Sequence, residues 1–237
     1  MDKIPRIIHY CWFGMGEMPK LAKSCIESWK RHLKDYEFVL WNEENFDVNS
    51  HPFTKSAYEA KKYAFVTDYV RLYVLYNFGG IYMDTDVEVI RNIDPFLRHS
   101  AFSGFESNNI VPTGIMGAEK GHKLIRLMLN YYDDKAFCLI PNTAIISELL
   151  EKYGLKRNGQ YQVIGNELDF HFYPRDYFCP IDYNSGKNYI SSNTYTIHHF
   201  AGSWLSPMHR IKNKARYALI KSIGEENFNR IKKMLKH

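Results

Sequence analysis

The chain predicts an α/β fold, and three observations carry that prediction. Its opening alternates strand, helix and strand between Ile4 and Trp41. A long apolar helix then stops at Gly79-Gly80 and feeds a short apolar run, Ile81-Tyr82-Met83. No internal repeat or low-complexity linker divides the 237 residues, a length that can bury a full core.

Ile4 to Phe13 reads as the first strand, with Pro5 at its start and Ile7, Ile8, Tyr10, Trp12 and Phe13 showing no helical period. Gly14 and Gly16 end it. From about Pro19 to His32, Leu21, Cys25, Ile26 and Trp29 recur at three- and four-residue steps, which predicts a helix. Tyr36 to Trp41 is the second strand, and this order points to a sheet with right-handed crossovers. One long helix is expected from about Thr54 to Asn77, stopped by the glycine pair. Beyond it, Ala101–Phe105 reads as a strand, 108–117 as a loop and strand, and Lys120–Tyr132 and Thr143–Lys152 as helices. Residues 154–193 read as loops and short strands, Tyr195–His199 as a late strand, and the tail as a basic helix. The expected division is one domain over 1–207 with a basic amphipathic extension over 208–237.

The chemistry concentrates where the glycine-led run ends, in Asp84-Thr85-Asp86. If the strand continues through them, Asp84 and Asp86 share a face and converge. Convergent carboxylates repel unless a cation lies between them, and hard divalent ions such as Mg²⁺ or Mn²⁺ choose oxygen ligands and bridge to phosphates. The preceding helix is apolar on nearly every side, yet Thr67, Asp68 and Arg71 form a narrow stripe within it. Buried charges are paired or used. An internal Asp68–Arg71 pair at i,i+3 is one reading. A stripe facing a ligand is the preferred one, because this helix leads straight into the carboxylate pair.

Composition narrows the classes. Four scattered cysteines without a C-x-x-C pair argue against zinc and fit reduced thiols in a cytoplasmic protein. The N-terminus does not read as a signal peptide, and no apolar run approaches the roughly 20 residues of a membrane span. Residues 208–237 carry nine Lys/Arg against two Glu, a net of +7 in a chain of +5, so the rest is slightly acidic. Nucleic acid is therefore a poor partner. The tail alternates its charges with Ile211, Leu219, Ile220, Phe228 and Ile231, which suits either an anionic membrane surface or a helix packed on the domain.

Several ordered blocks resemble glycosyltransferase family 32, the Asp-x-Asp sugar transferases that include bacterial capsule enzymes, fungal mannosyltransferases and clostridial glucosylating toxins. The blocks are Ile4–Gly14, Ser28-Trp29, Tyr36–Trp41, Ala64–Arg71, Leu75–Asp86 and His198–Trp204. The resemblance implies a GT-A fold: a Rossmann-like mixed sheet flanked by helices, with the nucleotide at the carboxyl ends of the strands. It implies retaining transfer of a hexose from a nucleotide-sugar, most often UDP-linked, to a saccharide or lipid-linked glycan acceptor in polysaccharide or capsule biosynthesis. Carried onto this chain, Trp12 stacks on the base, and Asp68 and Arg71 hold the donor sugar. Tyr82 lies beside the ribose or sugar, Asp84 and Asp86 serve the ribose and a Mn²⁺ or Mg²⁺ ion, and Ser203 and Trp204 close on the diphosphate.

On a strand His198 and His199 face opposite sides, so one of the two is expected to look into the site as a metal ligand or phosphate contact, His198 being preferred. Asn142 and Thr143 are candidate substrate contacts, with helix capping as an equal explanation. Trp29, Trp41 and His9 are placed in the core. The expected location is the cytoplasm, with the tail offering a peripheral contact to the inner face of the plasma membrane. The competing class is a nucleotide-sugar-binding protein without transfer. A phosphoryl-transfer hydrolase fits poorly, because the pair lies mid-chain and Glu88 occupies the place of its Thr or Val.

Overall fold

The computed structural model describes residues 1–111, 114–133, 135, 137–165, 168–183, 185–202 and 207–234. Strand β1 (Ile7–Cys11) pairs in parallel with β2 (Glu37–Trp41), and helix α1 (Lys20–His32) makes the crossover. The helix buries Cys25, Ile26 and Trp29 as its periodicity predicts, but Leu21 is 37% exposed and Ala22 takes its place on the buried face. Trp29 is fully buried, and its indole N–H donates to Val87 O at 2.6 Å.

The single helix expected over 54–77 is two helices, α2 (Pro52–Glu59) and α3 (Tyr63–Phe78). The break lies at Ala60-Lys61-Lys62, where three exposed residues give neither helix an apolar face to continue. Lys61 adopts φ 56°, and the amides of Lys61 and Lys62 turn back to Tyr58 O and Ala57 O. The split frees α3 to bury Val66, Val70, Leu72, Val74 and Leu75 around its whole circumference.

Gly79 and Gly80 turn the chain from α3 into β3 (Gly80–Met83), both with positive φ. A Cβ on Gly80 would lie 2.7 Å from Ile7 O, so only glycine lets β3 approach β1 there. Buried His9 secures the turn: Trp41 Nε1 donates to its Nδ1 at 3.1 Å, which leaves Nε2 to donate to Gly79 O at 2.8 Å.

The main sheet has the order β2-β1-β3-β6-β5-β8-β7, with β5 (Ala101–Gly104), β6 (Ile115–Ala118), β7 (Gln162–Ile164) and β8 (Phe170–Tyr173). β1 and β3 are parallel, β6 runs against both β3 and β5, and β8 is parallel to β5. Strands β1, β3, β5 and β8 therefore end at the same edge. One core lies under α2, α3, α4 (Lys123–Asn130) and α5 (Asn142–Glu151); the other lies under α1 and the Asp94–Phe96 turn. A separate two-stranded sheet pairs β4 (Val87–Val89) with β9 (Thr196–His198). A four-residue helix, α6 (Arg175–Phe178), follows β8. The basic tail is also two helices, α7 (Pro207–Ile223) and α8 (Glu225–Met234), broken at Gly224 with φ 80°. Among the described residues no helix is long and apolar enough to cross a membrane.

Candidate active site

The carboxylate pair converges by a route different from the expected one. Strand β3 ends at Met83, and Asp84 to Val87 forms a turn closed by Val87 N–H to Asp84 O at 3.0 Å. The turn, not strand alternation, brings Asp84 and Asp86 together. Asp84 is held from behind by its own N–H on Gly114 O, at 2.8 Å.

Arg71 reaches this turn from α3. Its Nη2 lies 3.2 Å from Asp84 Oδ1 and 3.3 Å from Asp68 Oδ1, and its side chain is 7% exposed. The i,i+3 pair is present, and the same guanidinium nitrogen also meets Asp84. The guanidinium also lies 4.6 Å from the centre of the Tyr82 ring. Tyr82 is 1% exposed and donates its hydroxyl to Asp84 Oδ1 at 2.7 Å. Its ring thus packs against Arg71 while its hydroxyl holds Asp84. Burial pushes the Asp68 carboxyl up to about 7 despite Arg71 beside it. Burial opposes the Arg71 cation, but Asp84, Tyr82 and Asp68 overcome it and raise its pKa.

His198 comes from β9. Pairing of Val87 with His198 brings its Nε2 to 3.3 Å from Asp86 Oδ1, while its Nδ1 lies 3.9 Å from Cys179 Sγ. Asp86 Oδ2 accepts the Ala201 N–H at 2.8 Å. Burial disfavours both charges, yet each partner holds the other ionised: Asp86 falls to about 2 and His198 rises well above its ordinary value. Asp84, Asp86 and His198 each offer a ligand atom within 4.8 Å of the others. His199 stands apart from this group, with Nε2 on Glu88 Oε2 at 2.9 Å.

Two carboxylates and one imidazole suit a divalent cation, the nitrogen favouring Mn²⁺ over Mg²⁺. The cradle is also sterically open where it must be: a Cβ on Gly114 would stand 3.2 Å from His198 Nδ1 and 3.4 Å from Asp84 Oδ2. His198 must lose its proton to ligate, so cation and proton compete for the same place.

Trp12 follows the end of β1, its N–H on Trp41 O and its indole N–H on Gly16 O at 2.5 Å. Asn142 is 4% exposed; its Nδ2 joins α5 to α3 by a bond to Asp68 O (3.3 Å) and to the segment after α4 by a bond to Tyr132 Oη (3.2 Å). Pro141 occupies the cap position of α5, so neither Asn142 nor Thr143 caps it. Thr143 is half-buried beside Asn142 on the first turn of α5. Ser203 and Trp204 lie outside the described residues. The sequence reading passed over Glu106 and Arg175, which follow β5 and β8 at the same sheet edge as Asp84. Their signal was positional: each comes within two residues of a strand's carboxyl end, where open α/β sheets bind ligands.

Residues 19–103 match the family described as the glycosyltransferase sugar-binding region containing DXD motif. This stretch contains Asp68, Arg71 and the Asp84-Thr85-Asp86 motif. The chain is 35% identical to inositol phosphoceramide mannosyltransferase 3 of Schizosaccharomyces pombe, over 52% of this chain and 35% of that protein. It is 29% identical to mannosyl phosphorylinositol ceramide synthase CSH1 of Saccharomyces cerevisiae, over 54% of this chain and 36% of that one. The chain thus spans about a third of the length of these relatives. Among solved structures, PaToxG Glycosyltransferase superposes with a TM-score of 0.50 at 16% identity, over 64% of this chain and 70% of that one. At that identity the likeness speaks for the fold alone, a GT-A-type sheet flanked by helices.

Proposed function

We propose that this chain, whose residues 19–103 form a DXD-type sugar-binding region, is a metal-dependent glycosyltransferase using a nucleotide-sugar donor. The observation that carries the reading is the convergence of Asp84, Asp86 and His198 beside the buried Arg71. Asp84, Asp86 and His198 would hold Mn²⁺ or Mg²⁺, which supplies Lewis-acid charge for a departing diphosphate. Arg71, pinned by Asp68 and Asp84, presents a fixed cation that needs no reorganisation when charge develops. Trp12 offers its indole face to the base at the neighbouring strand end. The retaining outcome and a UDP-linked donor rest on the family resemblance. The relatives' names make a mannosyl group the first sugar to test and a phosphoinositol-bearing lipid the first acceptor. A saccharide or lipid-linked glycan of polysaccharide or capsule synthesis is the other acceptor class. The basic α7–α8 segment would rest on an anionic membrane at the cytoplasmic face.

The test is a panel of UDP- and GDP-sugars assayed for Mn²⁺-dependent hydrolysis and transfer, with Asp84→Ala/Asp86→Ala as control. The reading expects turnover of at least one donor that vanishes without metal and in the double variant. Equal turnover in that variant would sink it. Tight binding of a nucleoside diphosphate without turnover on any donor would leave a binding protein instead.

A further inference from the structure

Two charged side chains at the active edge of the sheet remain unused by the site described above. Glu106 follows β5 directly, beyond the fully buried Phe105. Its backbone is fixed: the Glu106 N–H donates to Ile110 O at 2.9 Å, and Val111 N–H donates to Ser147 Oγ of α5 at 3.1 Å. The carboxylate is partly buried, and among the described residues it makes no hydrogen bond or ion pair. Arg175 follows β8, the parallel neighbour of β5. Its Nη1 lies 3.1 Å from Asp182 Oδ2 and its guanidinium lies 4.4 Å from the Tyr189 ring centre. Its Nε and Nη2 are buried, with no hydrogen-bond partner among the described residues.

Position along the sheet gives these groups a direction. In the order β2-β1-β3-β6-β5-β8-β7, Trp12 ends β1, Asp84 ends β3, and Glu106 and Arg175 end β5 and β8. A donor whose base lies on the β1 side and whose diphosphate lies at Asp84 and Asp86 extends its sugar towards β5. Building on the donor reading proposed above, we infer that Glu106 contacts hydroxyls of the transferred sugar and sets which epimer is accepted, with Arg175 behind it supplying the opposite charge. A carboxylate that accepts and a guanidinium that donates suit a polyol, whose hydroxyls do both. Burial holds the Glu106 carboxyl above its ordinary range, despite the attraction of His198. A largely buried carboxylate without a hydrogen-bond donor among the described residues is costly, and a sugar hydroxyl donating to it offsets that cost. A site built to bond one hydroxyl rejects the epimer that places it elsewhere, because the polar group is then left unpaired.

The test compares wild type, Glu106→Gln and Glu106→Ala with Mn²⁺ present. Binding of free UDP and GDP is measured by calorimetry. Binding and hydrolysis are then measured for epimer pairs, GDP-mannose with GDP-glucose and UDP-glucose with UDP-galactose. Free nucleotide should bind all three proteins within about twofold. Glu106→Ala should lower affinity and turnover for the preferred donor roughly 10- to 100-fold, with the preference between epimers collapsing. Glu106→Gln should fall between, since an amide oxygen still accepts one bond. Unchanged epimer preference in Glu106→Ala overturns the inference, and so does a parallel loss of free-nucleotide binding, which would make Glu106 a support of the metal site. Wild-type protein that neither binds nucleotide with Mn²⁺ nor hydrolyses any donor refutes the transferase reading itself.

Discussion

Asp68→Asn should stabilise this protein at neutral pH while impairing it as an enzyme. Asp68 sits on α3 with its side chain 14% exposed, 3.3 Å from Arg71 Nη2. Burial lifts its carboxyl from an ordinary 3.8 to about 7, more than Arg71 can offset. Between those values the folded chain keeps a proton that the unfolded chain has released. Stability therefore falls as pH rises from about 4 to about 7, and stays low above that. At 1.36 kcal/mol for each pH unit, the ionised Asp68 costs about 4 kcal/mol, or about 2 if local relaxation removes half of it. Asparagine keeps the shape and removes the charge, and Arg71 retains Asp84 at 3.2 Å. Urea unfolding without metal, from pH 4 to pH 8, should show the two proteins equal at the acid end. At pH 8 the variant should be more stable by about 2–4 kcal/mol. Turnover of the preferred donor should fall, since a strained charge kept at a site is one whose removal trades activity for stability. Parallel stability curves across the whole range would refute the reasoning, because they would mean that Asp68 ionises in the folded chain as readily as in the unfolded one.

Three further outcomes follow from the same geometry. Mn²⁺ binding should tighten as pH rises, approaching tenfold for each pH unit, because His198 gives up a proton that Asp86 now stabilises; calorimetry in two buffers should count about one proton released. His198→Ala should weaken Mn²⁺ binding at least tenfold, whereas His199→Ala, losing only a half-exposed contact to Glu88, should change it less than twofold and cost under about 1 kcal/mol of stability. Gly114→Ala should raise the Kd for Mn²⁺ about tenfold with little change in Tm, since its Cβ would press on His198 Nδ1 at 3.2 Å from a backbone that alanine adopts without strain; an unaltered Kd would show that the cradle yields.

The parts legible in the sequence were those governed by local period and local stops. Most of the α1 face (Cys25, Ile26 and Trp29, though not the exposed Leu21), the β1–β2 pairing and the glycine exit of α3 follow from residues close in sequence, and the structure has them. Arg71 was legible for another reason: a cation inside a helix apolar on all sides has to be paired, and it is paired twice. The break at Lys61 was not legible, because two lysines and an alanine are good helix formers and only the differing burial of α2 and α3 demands the kink. Nor was the packing of Tyr82 against Arg71, which depends on β3 lying between β1 and β6. Glu106 and Arg175 stood in loops without a motif, and only the strand order brings them to the edge that Asp84 occupies.

The deepest reason the site escapes local reading is that a two-stranded sheet assembles it. Asp84 and Asp86 precede β4, His198 closes β9, and the strands meet with Val87 opposite His198. That register alone decides between two adjacent histidines. Sliding β9 by one residue would carry His199 into the place of His198 and flip every side chain of the strand to its other face. Three contacts oppose the slip: His199 N–H on Asp86 O at 3.0 Å, His199 Nε2 on Glu88 Oε2 at 2.9 Å, and Ala201 N–H on Asp86 Oδ2 at 2.8 Å. Glu88 thus acts on the Asp84–Asp86–His198 cluster without belonging to it, by giving His199 a partner only in the correct register. Glu88→Ala should accordingly weaken Mn²⁺ binding more than His199→Ala does, since it leaves an unpaired histidine free to compete for the carboxylates. If the two variants bind Mn²⁺ equally well, the pin is backbone alone and the choice of histidine was made by the strand, not by its side chains.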